Sequence, residues 1–277
     1  MNNKDELNIG QYSLAYNNKE MTVQLVQEIF NDNIYTFKTT KKEPLIIDAG
    51  SNIGIATIFF KSLYPQAKIL CFEPDPNSFV LLKRNIFNNC LREVTIVNAA
   101  LAAKTGVIDF YGEITQNTPY SCGNSIIQEW GEQRSLDDAI YLMKNKIKVS
   151  AVQLSTYITE EIDFLKLDIE GAERQVLEEL GDKITLIKEI AVEIHCTNDK
   201  KFINHLDSII SLFKKYSFHT EITQKNISDI FPPQTAIWLS KAKPKLFELK
   251  AYRKSMPIKL VKCNYPTTKS ICNIVNE

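Results

Sequence analysis

The chain has 277 residues, of which 44% are hydrophobic, and its 33 basic and 33 acidic residues cancel. That length and composition suit one α/β domain with extensions around a sizeable core. The neutral balance argues against bulk nucleic-acid binding, which takes a strongly basic patch or domain.

Residues 1–43 are polar and read as an N-terminal extension that packs beside the core. Leu45–Ala49 is then a buried first strand, followed by a tight turn and a helix over Ile53–Leu63 that Pro65 helps to end. Lys68–Phe72 is a second strand, stopped by Glu73-Pro74-Asp75-Pro76. Asp75 suits the cap of the next helix with Pro76 at its first position, where a proline loses no helical hydrogen bond. That helix, Asn77–Phe87, carries Phe79, Leu82 and Ile86 at helical spacing. Val94–Val97 is a third strand leading into Asn98-Ala99, and Gly106–Tyr111 reads as a short antiparallel extra strand.

Residues 112–147 break the rhythm with a long loop or insert, expected on the side of a second substrate, since long loops are commonly functional or disordered. Phe164–Leu167 is a fourth strand, Ala172–Leu180 a helix, Ile187–Ile194 a fifth strand and Lys201–Tyr216 an amphipathic helix. Phe218–Ile222 and Ala236–Leu239 complete the expected strands. Such alternation predicts a doubly wound, mostly parallel sheet with helices on both faces, over residues 44–240. Residues 241–262 hold eight Lys/Arg against Glu248 alone, and 241–277 reads as a basic, solvated C-terminal tail.

Six scattered cysteines (Cys71, Cys90, Cys122, Cys196, Cys263 and Cys272) include no C-x-x-C pair, which fits free thiols in a reducing cytosol. Residues 1–20 contain no apolar signal region, and no apolar run approaches membrane-spanning length. A soluble, cytoplasmic chain without a membrane span is expected.

The chemistry concentrates at strand ends. In an open α/β sheet, ligands bind at the carboxyl ends of the strands where strand order reverses. Residues 46–54 read I-I-D-A-G-S-N-I-G, placing Asp48, Gly50, Asn52 and Gly54 in a D-x-G-x-N-x-G turn. A dinucleotide fingerprint needs a third glycine, so this turn better suits a zwitterionic amino-acid cofactor such as S-adenosylmethionine (SAM) than a pyrophosphate. Glu73 arrives 19 residues after Gly54, where a carboxylate accepting from ribose hydroxyls is expected. Lys166, Asp168 and Glu170 alternate along strand four and share one face. A lysine inside a buried parallel strand requires compensation, and Glu193 on strand five is its expected neighbour. His195 ends strand five beside the same acids, whereas His205 and His219 lack companion groups. Gly171-Ala172-Glu173 suits a helix start, with Glu173 as a cap.

Taken together, Ile46–Gly54, Phe72-Glu73-Pro74, Asn98–Leu101, Asp163–Glu173 and Glu193-Ile194-His195 resemble the FkbM-type SAM-dependent methyltransferases in order and spacing. L-K-L-D-I-E-G-A-E is the most specific stretch. The resemblance implies the class I, Rossmann-like methyltransferase fold, a seven-stranded sheet with one antiparallel edge strand. It implies SAM as donor and a hydroxyl acceptor on a sugar, glycan or secondary metabolite. By position, Asp48, Gly50, Asn52 and Gly54 would line the methionine part of SAM, Glu73 its ribose, and Asn98 and Ala99 its adenine, with Asp168 and Glu170 nearby. The loop Gly123-Asn124-Ser125-Ile126 matches the family's serine-rich stretch only loosely, and the tail beyond Ala242 has no counterpart in it.

An alcohol acceptor must lose its proton as the new bond forms, a task suited to a near-neutral histidine or a carboxylate raised by burial. His195 is the first choice of base and Asp168 the second, with Lys166 and Glu193 beside them. Asp168, Glu170, His195 and Asn198 could ligate a divalent metal, but their spacing is no metal signature, and a metal-free site is expected. The alternatives are a nicotinamide-dependent oxidoreductase, disfavoured by the missing glycine, and a catalytically silent SAM-binding or interaction module, which would have no need of a lysine in a buried strand.

Overall fold

A computed structural model of the chain describes residues 6–112, 123–131, 146–196, 204–225 and 245–253. It opens with the hairpin β1 (Glu6–Ile9) and β2 (Tyr12–Ala15), then α1 (Lys19–Val26), which runs on through a π-helical turn at Gln27–Asn31. The elements β3 (Leu45–Ala49), α2 (Ile55–Leu63), β4 (Lys68–Phe72), α3 (Pro76–Asn88) and β5 (Val94–Val97) follow in strict alternation. Next come β6 (Ala100–Leu101), β7 (Gly106–Tyr111), the short α4 (Gln128–Gly131) and β8 (Lys146–Val152). The chain continues with β9 (Ile162–Leu167), α5 (Glu173–Leu180), β10 (Ile187–Cys196), α6 (Leu206–Lys215), β11 (His219–Lys225) and β12 (Lys245–Tyr252).

Seven strands form the main sheet in the order β11-β12-β10-β9-β3-β4-β5. From β10 to β5 all neighbours are parallel, and strand order reverses between β9 and β3. With helices interleaved between its strands, this is the doubly wound class I methyltransferase arrangement. The antiparallel strand is β12, and it sits one place in from the edge, hydrogen-bonded to both β10 and β11. Residues 245–252, read from sequence as part of a solvated basic tail, are thus ladder partners of a central strand. Leu246, Leu249 and Ala251 are inside, while the lysines of this run, Lys245 and Lys250, lie on exposed or partly exposed positions. The strand expected at 236–239 lies outside the described residues.

Local chemistry explains the sharpest boundaries. The Asp75 carboxylate accepts hydrogen bonds from the amides of Asn77 and Ser78, with Pro76 in the first helical turn. Every residue of β9 is buried, including Asp163 and Lys166. Helix α6 starts at Leu206, with His205 at its N-cap. Strand β8, which was not anticipated, joins β6 and β7 in a small second sheet, pairing antiparallel with β7.

The N-terminal residues contribute to the core. Phe37 stacks on Phe164 with ring centroids 4.5 Å apart, and Asn85 exchanges hydrogen bonds with both the N–H and the carbonyl of Ala15. No helix among the described residues is long and apolar enough to cross a membrane. Cys71, Cys90 and Cys196 are free thiols.

Candidate active site

The carboxyl ends of β3, β4, β9 and β10 open onto a cavity of about 510 Å³. One wall is the turn after β3. Gly50 and Gly54 hold φ of +79° and +94°, and Asn52 holds +48°. A side chain on Gly50 would put its Cβ 1.8 Å from the carbonyl oxygen of Asp168, and one on Gly54 would meet Leu82 at 2.8 Å. Gly50 is therefore demanded by close backbone approach as well as by left-handed backbone, and Gly54 by its left-handed backbone. The turn is tied to the next strand, since the amides of Gly50 and Ser51 both donate to the carbonyl of Phe72 at 3.0 Å.

Glu73 stands where β4 ends. Its two carboxylate oxygens accept from the amides of Asn52 (2.7 Å) and Asp75 (2.8 Å). Burial, and then the neighbouring Asp75, push its carboxyl up to about 8. Asn98 donates to the Glu73 carbonyl at 2.8 Å.

Lys166 forms the cavity floor with Asp168. Its ammonium donates to the carbonyl of Gly50 at 2.8 Å and pairs with Asp168 at 3.3 Å and Asp48 at 3.5 Å. Burial opposes its charge, but Asp168, Asp48 and Glu193 outweigh it and hold the amine above the usual lysine range. No ion pair joins it to Glu193. The register sets Ala191 opposite Lys166, so Glu193 lies two residues farther along β10. The lysine that pairs with Glu193 is Lys225 of β11, 3.9 Å away, which also pairs with Glu248 at 2.9 Å and with Glu28. Burial foremost, and then Asp168, push Glu193 up to about 8.

His195 is 1% exposed and stands behind the cavity surface. Its Nδ1 is 3.0 Å from Glu173, while Nε2 faces Glu170 at 3.3 Å, Glu193 at 3.7 Å and Asp168 at 4.0 Å. Burial works against its charge, yet Glu170 and Glu173 lift it to about 10. Glu173 is more than a helix cap. It accepts from the amides of Ile169 and Gly171 and from Asn204 Nδ2 at 2.6 Å, and Asn204 also donates to the His195 carbonyl. Asn204 accepts from the Arg174 amide as well, at 2.9 Å.

Of the residues singled out in the sequence, Gly50, Asn52, Glu73, Ala99 and Asp168 line the cavity, as do Lys166, Glu170 and Glu193. Asp48, Gly54, Asn98 and His195 do not. Asp48 is fully buried beneath the turn and accepts from Thr57 at 2.7 Å, Gly54 packs on Leu82, and Asn98 braces the Glu73 backbone. Asn198 lies outside the described residues. Sequence reasoning missed Tyr35, Glu28, Trp130, Asn204 and Lys225. Tyr35 lines the cavity with its ring 5.4 Å from the Lys166 ammonium, and Trp130 donates from Nε1 to Glu170 at 2.7 Å. None has a local signature.

Comparison with known proteins agrees with this architecture. The model of the methyltransferase FkbM domain matches residues 48–220. Methyltransferase sdnD of Sordaria araneosa is 30% identical over 189 residues, covering 61% of this chain and 73% of that protein. Methyltransferase 1 of Beauveria bassiana is also 30% identical, over 61% of this chain and 71% of its own length. The 2-O-methyltransferase NoeI of Sinorhizobium fredii is 29% identical over 53% of this chain and 61% of that protein. The chain belongs to the FkbM methyltransferase family, whose members are SAM-dependent methyltransferases.

Proposed function

We propose that this member of the FkbM methyltransferase family transfers a methyl group from SAM to a hydroxyl of a sugar, glycan or secondary metabolite. The observation that carries the reading is the meeting, in one cavity, of a side-chain-free turn at Gly50, a buried ribose-type acid at Glu73 and the acids Asp168 and Glu193. The 2-O-methyltransferase among the relatives favours oxygen as the acceptor atom.

The residues suit the donor. SAM carries a sulfonium and an ammonium, and the cavity lining is rich in carboxylates. Gly50 and Asn52 would meet its amino-acid end, Glu73 its ribose and Ala99 its adenine, with Asp48, Gly54 and Asn98 acting from behind to hold the turn and Glu73 in place. When bound, SAM supplies an activated methyl carbon. What the protein adds is position, which dominates in a displacement of this kind. Lys166 fixes the turn against Asp168 by holding the Gly50 carbonyl and the Asp168 carboxylate together.

Proton removal we assign to the carboxylates that reach the cavity, Asp168 and Glu193. His195 is set behind them with Nδ1 committed to Glu173, so it orients acids and does not itself meet the acceptor. The test is calorimetric titration with SAM and, as control, NAD⁺. Micromolar SAM binding weakened by Glu73→Ala supports the reading, and a screen of hydroxylated acceptors then follows. A folded protein that ignores SAM overturns it, and NAD⁺ binding in its place points to an oxidoreductase.

A further inference from the structure

We propose that Asp168, Glu193 and His195 form a binding site for one divalent cation of the Mn²⁺ or Mg²⁺ kind at the floor of the cavity. One oxygen of each carboxylate and one ring nitrogen lie within 4.8 Å of one another. With metal–ligand bonds of about 2.1 Å, two ligands of one ion stand roughly 3.0 to 4.3 Å apart. Nε2 of His195 is 3.7 Å from Glu193 Oε1 and 4.0 Å from Asp168 Oδ1, too long for hydrogen bonds and within that span.

The orientation of the histidine is the independent observation. His195 is buried to 99%, and its Nε2 is aimed into a ring of three carboxylates, with Glu170 Oε2, which also accepts from Trp130, at 3.3 Å and Glu193 and Asp168 just beyond it. The other nitrogen, Nδ1, is fixed by Glu173, and Glu173 is itself pinned by two amides and Asn204. A carboxylate holding one face of an imidazole so that the other points at further acids is the outer-shell arrangement of a metal-ligating histidine.

Charge points the same way. Each carboxylate turns one oxygen toward a lysine and the other toward Nε2. Asp168 Oδ2 meets Lys166, and Glu193 Oε2 meets Lys225. Neither lysine is exclusive, because Lys166 also serves Asp48, and Lys225 also serves Glu28 and Glu248. Two carboxylates with one imidazole and no thiol suit a hard or borderline ion that keeps open positions for water or an alcohol. The site stands on its own geometry. Its role, which rests on the methyl-transfer reading, is to hold the acceptor oxygen and lower the pKa of its hydroxyl, so that in the loaded protein Asp168 and Glu193 act as ligands in place of taking the proton directly.

The test uses the full chain, stripped with a chelator and titrated with MnCl₂ while free Mn²⁺ is followed by electron paramagnetic resonance. One ion per chain is expected, with affinity reduced by more than about tenfold in Glu193→Gln and His195→Gln. Pulsed spectra of the wild-type complex should show coupling to one imidazole nitrogen, a readout that needs no variant to fold. Absence of binding below millimolar Mn²⁺, absence of that nitrogen coupling, or unchanged affinity in both variants overturns the site. A parallel titration with S-adenosylhomocysteine reports on the donor assignment separately, so failure of one is distinguishable from failure of the other.

Discussion

The carbonyl oxygen of Asp168 occupies the space that a side chain on Gly50 would need, 1.8 Å from where its Cβ would stand. This contact presses the end of β9 against the turn after β3 and brings a cavity acid within reach of the donor-side turn. Gly50→Ala should therefore separate the two strands' ends as well as strain a left-handed backbone, the latter alone costing about 1–2 kcal/mol. The expected result is loss of S-adenosylhomocysteine binding in a folded but less stable protein, read by calorimetry beside a thermal melt. Unchanged affinity would show that the contact does not shape the donor site.

Glu73 gives a pH signature to stability. Burial pushes its carboxyl up to about 8, above the ordinary value of 4.5. The native state then binds more protons than the unfolded state between those values, and stability falls as pH rises through that window. Denaturant titrations from pH 5 to 8 should show this decline, and Glu73→Gln should make it shallower, with Glu193, also pushed up to about 8, supplying much of the remainder. An equally steep decline in the variant would locate the effect elsewhere.

Asp163 should act in the opposite sense. Its side chain is 1% exposed and takes ion pairs from Lys188 at 2.8 Å and Lys41 at 3.0 Å, plus a hydrogen bond from the Leu45 amide. Burial opposes its charge, but these partners win and hold its pKa below the usual value. Its contribution is present above the unfolded pKa and lost as pH falls through the folded one. Asp163→Asn should cost about 1–3 kcal/mol near neutrality, since it leaves partly screened lysines behind. Chemical denaturation at pH 7 and pH 3 should show the difference shrinking in acid.

Lys225 ties three separate parts of the chain together through Glu28, Glu193 and Glu248. Lys225→Met should loosen the N-terminal wall of the cavity while leaving the donor-side turn intact. Hydrogen exchange over residues 19–37 should accelerate, with S-adenosylhomocysteine affinity changed by less than about threefold, equivalent to under 1 kcal/mol. Protection of that segment equal to wild type would show that Phe37 and its aromatic neighbours hold it unaided.

Much of the donor side is legible without coordinates. Leu45–Ala49, Lys68–Phe72 and Val94–Val97 form strands with the bounds their apolar runs indicate, and Asp75-Pro76 caps α3. Buried parallel strands, cap chemistry and glycine turns are written in a few adjacent residues, so a short window suffices. Glu73, the acid proposed for the ribose, is legible for the same reason, since it follows its strand directly.

The acceptor side is another matter. Lys166 was recognisable as a charge needing compensation, but its partners are Asp48 and Asp168, because strand register decides which residue of β10 lies opposite it. Strand β12 hides in a basic run whose lysines sit at exposed or partly exposed positions, and its slot between β10 and β11 depends on pairing with segments far from it in the chain. Tyr35, Trp130, Asn204 and Lys225 reach one cavity region from four distant segments. The sequence by itself determined the fold class, the donor-side turn and the identity of the polar residues in β9 and β10. Only the tertiary structure decided which charges meet, because a buried charge takes its partner from whatever the packing brings within a few ångströms, and that proximity is not encoded in any local spacing.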